Sequence, residues 1–136
     1  MKDLYHNLSP AVSVPVLIRN GNAATSGTGV DLSGYEGAVV EFIGGTLTDG
    51  SLACTLEDSD VLGSGYVAVG AADCIDGIAS VTLASTEDNL VEKIGYIGGK
   101  RFVRAVITQS GATTGGTYGA NVIRGIPRHA PTPVNA

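Results

Sequence analysis

From residue 38 onward the chain never runs far before a glycine-bearing turn cuts it. Thr48-Asp49-Gly50, Leu62-Gly63-Ser64-Gly65, Asp76-Gly77, Gly98-Gly99 and Ser110-Gly111 punctuate short apolar stretches at spacings near ten residues. A helix needs roughly 10–12 residues to bury an apolar stripe, whereas a strand needs about 4–8. The spacing therefore selects strands, and each glycine supplies the positive φ that a tight turn asks for. Glycine is accordingly abundant, 20 of 136 residues with no collagen-like period. Helix formers are scarce, with one Met and eight Glu plus Lys in all, and Val, Ile and Thr recur instead.

Period-two alternation places strands at Ala38 to Ile43, Leu52 to Glu57, Tyr66 to Val69, Ile78 to Leu83, Val91 to Ile97, Phe102 to Gln109 and Tyr118 to Arg124. A further extended stretch covers Val12 to Arg19. Leu52, Cys54 and Leu56 point one way and Ala53, Thr55 and Glu57 the other, the signature of a strand with one buried face. Phe102 to Ile107 is apolar on both faces apart from Arg104, which predicts a central strand. About eight short strands with such turns predict an all-β, single-domain β-sandwich, jelly-roll-like in arrangement. The sandwich is expected over residues 21–125, between an extended N-terminal arm (1–20) holding Pro10 and Pro15 and a proline-rich C-terminal arm (126–136).

Charge divides the chain. Residues 1–90 carry a balance of −10 and residues 91–136 one of +5, within a net −5. Folding brings the two signs together, either inside one subunit or between neighbours, a distribution suited to self-association. The basic residues form no run and the whole is acidic, so no nucleic acid partner is expected. No apolar run approaches the ~20 residues of a membrane-spanning helix, and the first residues lack the apolar core of a secretory signal. Synthesis and assembly in the cytoplasm, without a membrane partner, are the expectation.

Residues able to carry chemistry are few. His6 and His129, the only histidines, lie in the two arms, remote from any segment that would build a pocket for general-base catalysis. No phosphate-binding loop, zinc-protease pair or nucleophile elbow occurs, so no catalytic residue, cofactor or metal is assigned and the chain is read as a non-enzyme. Cys54 and Cys74 lack zinc spacing. They are read as buried thiols, with a disulfide between them left open. Glu57-Asp58-Ser59-Asp60 with Asp73 and Asp76 could hold a hard cation but lacks a calcium-loop spacing, and ordinary turn chemistry explains it better.

Two groups remain as candidate contact surfaces. Leu4, Tyr5 and Leu8 give the N-terminal arm apolar side chains that would gain by docking on a neighbour, against the alternative of a frayed tail. Tyr96, Lys100, Arg101 and Arg104, extended by Arg124 and Arg128, form a basic, partly aromatic group. It is either the solvent face of a hairpin or a contact for the acidic half of an adjacent subunit or another protein.

The segments Asp3-Leu4-Tyr5-His6-Asn7-Leu8-Ser9-Pro10, Gly27-Thr28-Gly29-Val30-Asp31-Leu32-Ser33-Gly34-Tyr35-Glu36-Gly37-Ala38, Leu56-Glu57-Asp58-Ser59-Asp60, Gly99-Lys100-Arg101-Phe102-Val103-Arg104 and Gly119-Ala120-Asn121-Val122-Ile123-Arg124-Gly125 resemble small structural proteins of tailed bacteriophages, in particular capsid decoration, or cement, proteins. The resemblance implies a homo-oligomeric β-sandwich, a dimer or trimer, on the outer capsid surface of a virion. There it would bind the major capsid protein and bridge adjacent subunits. Two other roles fit such a chain: a carbohydrate-binding sandwich on the virion surface, disfavoured by the absence of Trp, and a tail-tube or head-completion subunit.

Overall fold

A computed structural model describes residues 3–85 and 88–129. Among the described residues ten strands alternate with three single-turn 3-10 segments. The strands are β1 (Leu8–Arg19), β2 (Ala24–Ser26), β3 (Val30–Asp31), β4 (Tyr35–Leu47), β5 (Ser51–Ser59), β6 (Val67–Ala68), β7 (Ser80–Ala84), β8 (Val91–Tyr96), β9 (Phe102–Ser110) and β10 (Gly116–Pro127). They form two antiparallel sheets. The first runs β1-β10-β4-β8; the second runs β2-β9-β5-β6, with β3 also paired to β9 and β7 also paired to β5. Counting β2 with β3 and β6 with β7 leaves eight strands in two four-stranded sheets, in the order of a jelly roll. No helix among the described residues is long and apolar enough to cross a membrane.

The core follows from alternation. Val40 and Phe42 of β4, Ala120 and Val122 of β10, Ile94 of β8 and Val14 of β1 face Leu52, Cys54 and Leu56 of β5, Leu83 of β7 and Val103, Ala105 and Ile107 of β9, all essentially sealed from solvent. β9 lies between β2 and β5, and Phe102 and Val106 on its other face are also buried. It is the central strand that its doubly apolar pattern predicts.

One hydroxyl ties the sheets together. A bulge between Val12 and Val14 turns Ser13 inward, where Oγ donates to the Thr28 carbonyl at 2.9 Å and accepts the Ala105 N–H at 3.0 Å. A bulge adds one residue to one strand and re-aims a side chain; here it delivers a polar atom to a backbone donor that would otherwise be buried without a partner.

Three expectations are corrected. Residues 8–19, read as part of an arm, are the edge strand β1, so the sandwich spans residues 8–127 rather than 21–125. Proline is admissible there because an edge strand has one side whose N–H groups need no ladder partner. Arg19 completes the edge, its guanidinium donating to the carbonyls of Pro15 and Tyr118, each at 2.8 Å. Of the C-terminal arm, residues 126–127 close β10, while residues 130–136 lie outside the described residues. Finally, Gly98 and Gly99 adopt no positive φ, unlike Gly50, Gly65, Gly77 and Gly111. Gly98 serves a different need: a Cβ there would stand 2.5 Å from the Tyr96 hydroxyl.

Candidate interaction surfaces

The basic group does not stand free. Lys100 Nζ meets Asp60 at 3.0 Å. Arg101 grips Asp31 with Nε at 3.0 Å and Nη2 at 2.9 Å. Arg104 reaches Glu57 across the β5–β9 ladder at 2.8 Å and lies 4.0 Å over the Tyr66 ring. Arg128 pairs with Glu36. Each of these four cations is met by a carboxylate from residues 31–60, so the charge division of the sequence closes largely within one subunit. Surface pairs of this kind each contribute about 0–1 kcal/mol; their effect is to consume the charges that a partner would read.

Two members of the group are not surface residues. Tyr96 is 3% exposed. Its hydroxyl donates to Asp58 Oδ2 at 2.8 Å and accepts the Lys100 N–H at 3.1 Å. Burial, reinforced by the bond to the Asp58 carboxylate, pushes the phenol well above its ordinary range. Arg124 is half-buried, donating to the Ser9 carbonyl at 3.2 Å, Ser9 Oγ at 2.7 Å and the Asp31 carbonyl at 3.1 Å, with Tyr35 stacked on it at 5.0 Å. It fastens β1 and β3 to β10. The acidic turn is likewise committed: Glu57, Asp58 and Asp60 go to Arg104, Tyr96 and Lys100.

Arg101 holds the Asp31 carboxyl down at about 2, helped by the Ser33 N–H at 2.9 Å and opposed by burial. Three backbone N–H groups of Thr113, Thr114 and Gly115 lower Asp49 in the same direction. A depressed folded-state value means stability that is complete above the unfolded value near 3.9 and is lost as pH falls through the folded one. Thermal stability is therefore expected to fall between about pH 4 and pH 2. The slope should be shallower in Asp31→Asn, and an unchanged slope in that variant would remove Asp31 from the account.

Tyr96, Lys100, Arg101 and Arg128 line a cleft of about 400 Å³ between the β3–β4 and β8–β9 turns, with Leu32, Ser33, Tyr35, Glu36 and Ile97. Arg104 lies on the outer face of the second sheet and Arg124 inside. Leu4 and Tyr5 are 59% and 65% exposed, and Leu8 leans on Gly125. The short turn Tyr5–Asn7 that presents them is held by Asp3, which accepts the His6 N–H at 3.1 Å. His6 and His129 are both exposed. Cys54 and Cys74 are free and buried, and burial, with Glu92 adding, lifts the Cys54 thiol to about 12. A thiol so raised is a poor nucleophile and a poor metal ligand.

Sequence reasoning missed the outer face of the first sheet. One row across it is Pro10, Ile123, Val39 and Gly95, the last covered by Ile75. The next is Val12, Asn121, Glu41 and Lys93. A third is Val16 over Gly119, then Ile43 and Val91. Val12, Val16 and Val91 are each more than half exposed. An antiparallel sheet with one wet face ordinarily turns polar side chains outward, as the second sheet does with Ser51, Thr55, Glu57, Arg104 and Thr108. The signal was in Ala38-Val39-Val40-Glu41-Phe42-Ile43, apolar on both faces like residues 102–107.

No family model matches the chain, and no curated protein matches it in sequence. Among solved structures it is similar to the SPBc2 prophage-derived protein YomS, at 12% identity over 85% of this chain and 94% of that one with a TM-score of 0.45. It is also similar to PirA, at 11% identity over 92% and 96% with a TM-score of 0.40.

Proposed function

We propose that the chain is a structural virion protein, without catalytic activity, that binds the outside of a phage capsid and bridges adjacent major capsid protein subunits. Its segments resemble those of decoration proteins, and the sandwich offers a partner apolar surface in place of free charge. The observation that carries the reading is the internal pairing of Lys100, Arg101, Arg104 and Arg128. With these charges spent in cis, attachment to the shell runs through Leu4, Tyr5 and Leu8. Many copies of a weak contact suffice on a symmetric shell, because each bound copy raises the effective concentration of the next.

The test is cryo-EM of particles assembled from the cognate major capsid protein, with and without this chain. Regular added density outside the shell, lost in Leu4→Ser/Tyr5→Ser but kept in Lys100→Gln, supports the reading. Bare shells under saturating protein would overturn it. Carbohydrate binding at the virion surface is a second reading, favoured by the cleft in which Tyr35 adjoins Arg101, Arg128 and Glu36; a glycan array decides it.

A further inference from the structure

The outer face of the first sheet combines an apolar surface with one polar row, and that row carries both signs. Glu41 on β4 and Lys93 on β8 are direct cross-strand neighbours, yet they form no ion pair. Among the described residues Lys93 is the one lysine or arginine side chain with no hydrogen-bond or ion-pair partner, and Glu41 has only the Asn121 amide at 3.4 Å. An acid and a base side by side at the middle of an apolar face are self-complementary under a two-fold axis. A partner of a single charge sign would satisfy one of them and repel the other.

We infer that a second copy of this chain covers the β4–β8 half of this face, the two first sheets meeting face to face there about a two-fold axis that runs parallel to the strands between β4 and β8. That axis sets Glu41 against Lys93 of the second copy twice over, as an isologous interface requires. It also lays Ile43 against Val91 and Val39 against the Gly95–Ile75 step, consistent with the register of the two strands. About that axis only β4 and β8 overlap their counterparts, and two strands at about 4.8 Å over a few outward rows at about 6.8 Å give roughly 200 Å² per copy. A standard interface buries about 800 Å² per partner. The dimer is consequently weak in free solution and becomes populated at high local concentration, as on a shell. This inference rests on the proposed function for that high local concentration and adds to it a contact between copies.

Sedimentation equilibrium from about 5 µM to about 1 mM, a range bracketing a weak association, is expected to show a monomer–dimer equilibrium. Glu41→Lys and Lys93→Glu, which each place like charges opposite twice, should weaken it at least about tenfold. The double variant Glu41→Lys/Lys93→Glu should return it to within about threefold of the parent. Melting temperatures of each variant at low concentration separate the loss of the cross-strand neighbour inside one subunit from the loss of dimer. Thr55→Lys, on the opposite sheet, leaves the equilibrium unchanged. A parent that stays monomeric at 1 mM, a double variant as dissociated as the singles, or disruption by Thr55→Lys would each overturn the inference. A monomer that still decorates capsids would sink this inference alone, and a dimer that leaves shells bare would sink the proposed function alone.

Discussion

Phe42→Ala is expected to remove about 3–5 kcal/mol of stability, against a total of roughly 5–15 kcal/mol for a domain of this size. Phe42 is fully buried at the middle of β4, paired with Ala120 on one side and Glu92 on the other. Its near neighbours along the inner face, Gly44 and Ala120, are too small to lean into the space that a missing ring leaves. The cost therefore contains both the lost transfer energy and a cavity that does not collapse. Urea titration should show a much lower midpoint with the slope retained. A loss under about 1 kcal/mol would mean that the two sheets do not meet across this ring.

Two arginines four positions apart should differ sharply in cost. Arg124→Ala is expected to cost about 2–4 kcal/mol, because it strands the Ser9 hydroxyl, which is 1% exposed, and two carbonyls in a half-buried setting. Arg128→Ala removes an exposed pair with Glu36 and should cost less than about 1 kcal/mol. Both losses are read from the same denaturation curves. In capsid binding, Arg124→Met should match the parent at temperatures where it remains folded, since the side chain acts inside the subunit. A selective binding defect in a stably folded Arg124 variant would restore the surface role that the sequence suggests.

How much of this was legible follows from where the information resides. Strands β4, β5, β8, β9 and β10 could be placed because alternation is local, and the inward direction of Leu52, Cys54 and Leu56 came with it. β2 and β3, three and two residues long, carry no period of their own and exist only because β9 offers them partners. β1 was obscured by Pro10 and Pro15, which argue against a strand unless the strand is known to be at an edge. Ile126 at φ 51 is a β-branched residue in a conformation that its type disfavours, so nothing local announces it. At the candidate surfaces, the opposed charge of the two halves was visible from composition. The pairings themselves join residues 40 to 92 positions apart, and only the assembled sheets bring them together.

The order of strands in the first sheet has a further consequence, for synthesis. β10 is inserted between β1 and β4, so β1 has no ladder partner until residues 116–127 have left the ribosome. At about 5–20 residues per second, the hundred or so intervening residues take several seconds or more. Throughout that interval Val12, Val14, Val16, Leu17 and Ile18 are an apolar segment with nowhere to pair. The β4–β8 pair and the β7–β5–β9 ladder are complete earlier in synthesis and close over shorter separations. During synthesis the first sheet can therefore be completed only by a strand insertion that closes it from its middle. Pro10 and Pro15 act well before that step, denying the waiting segment a clean edge on which another nascent chain could begin to aggregate.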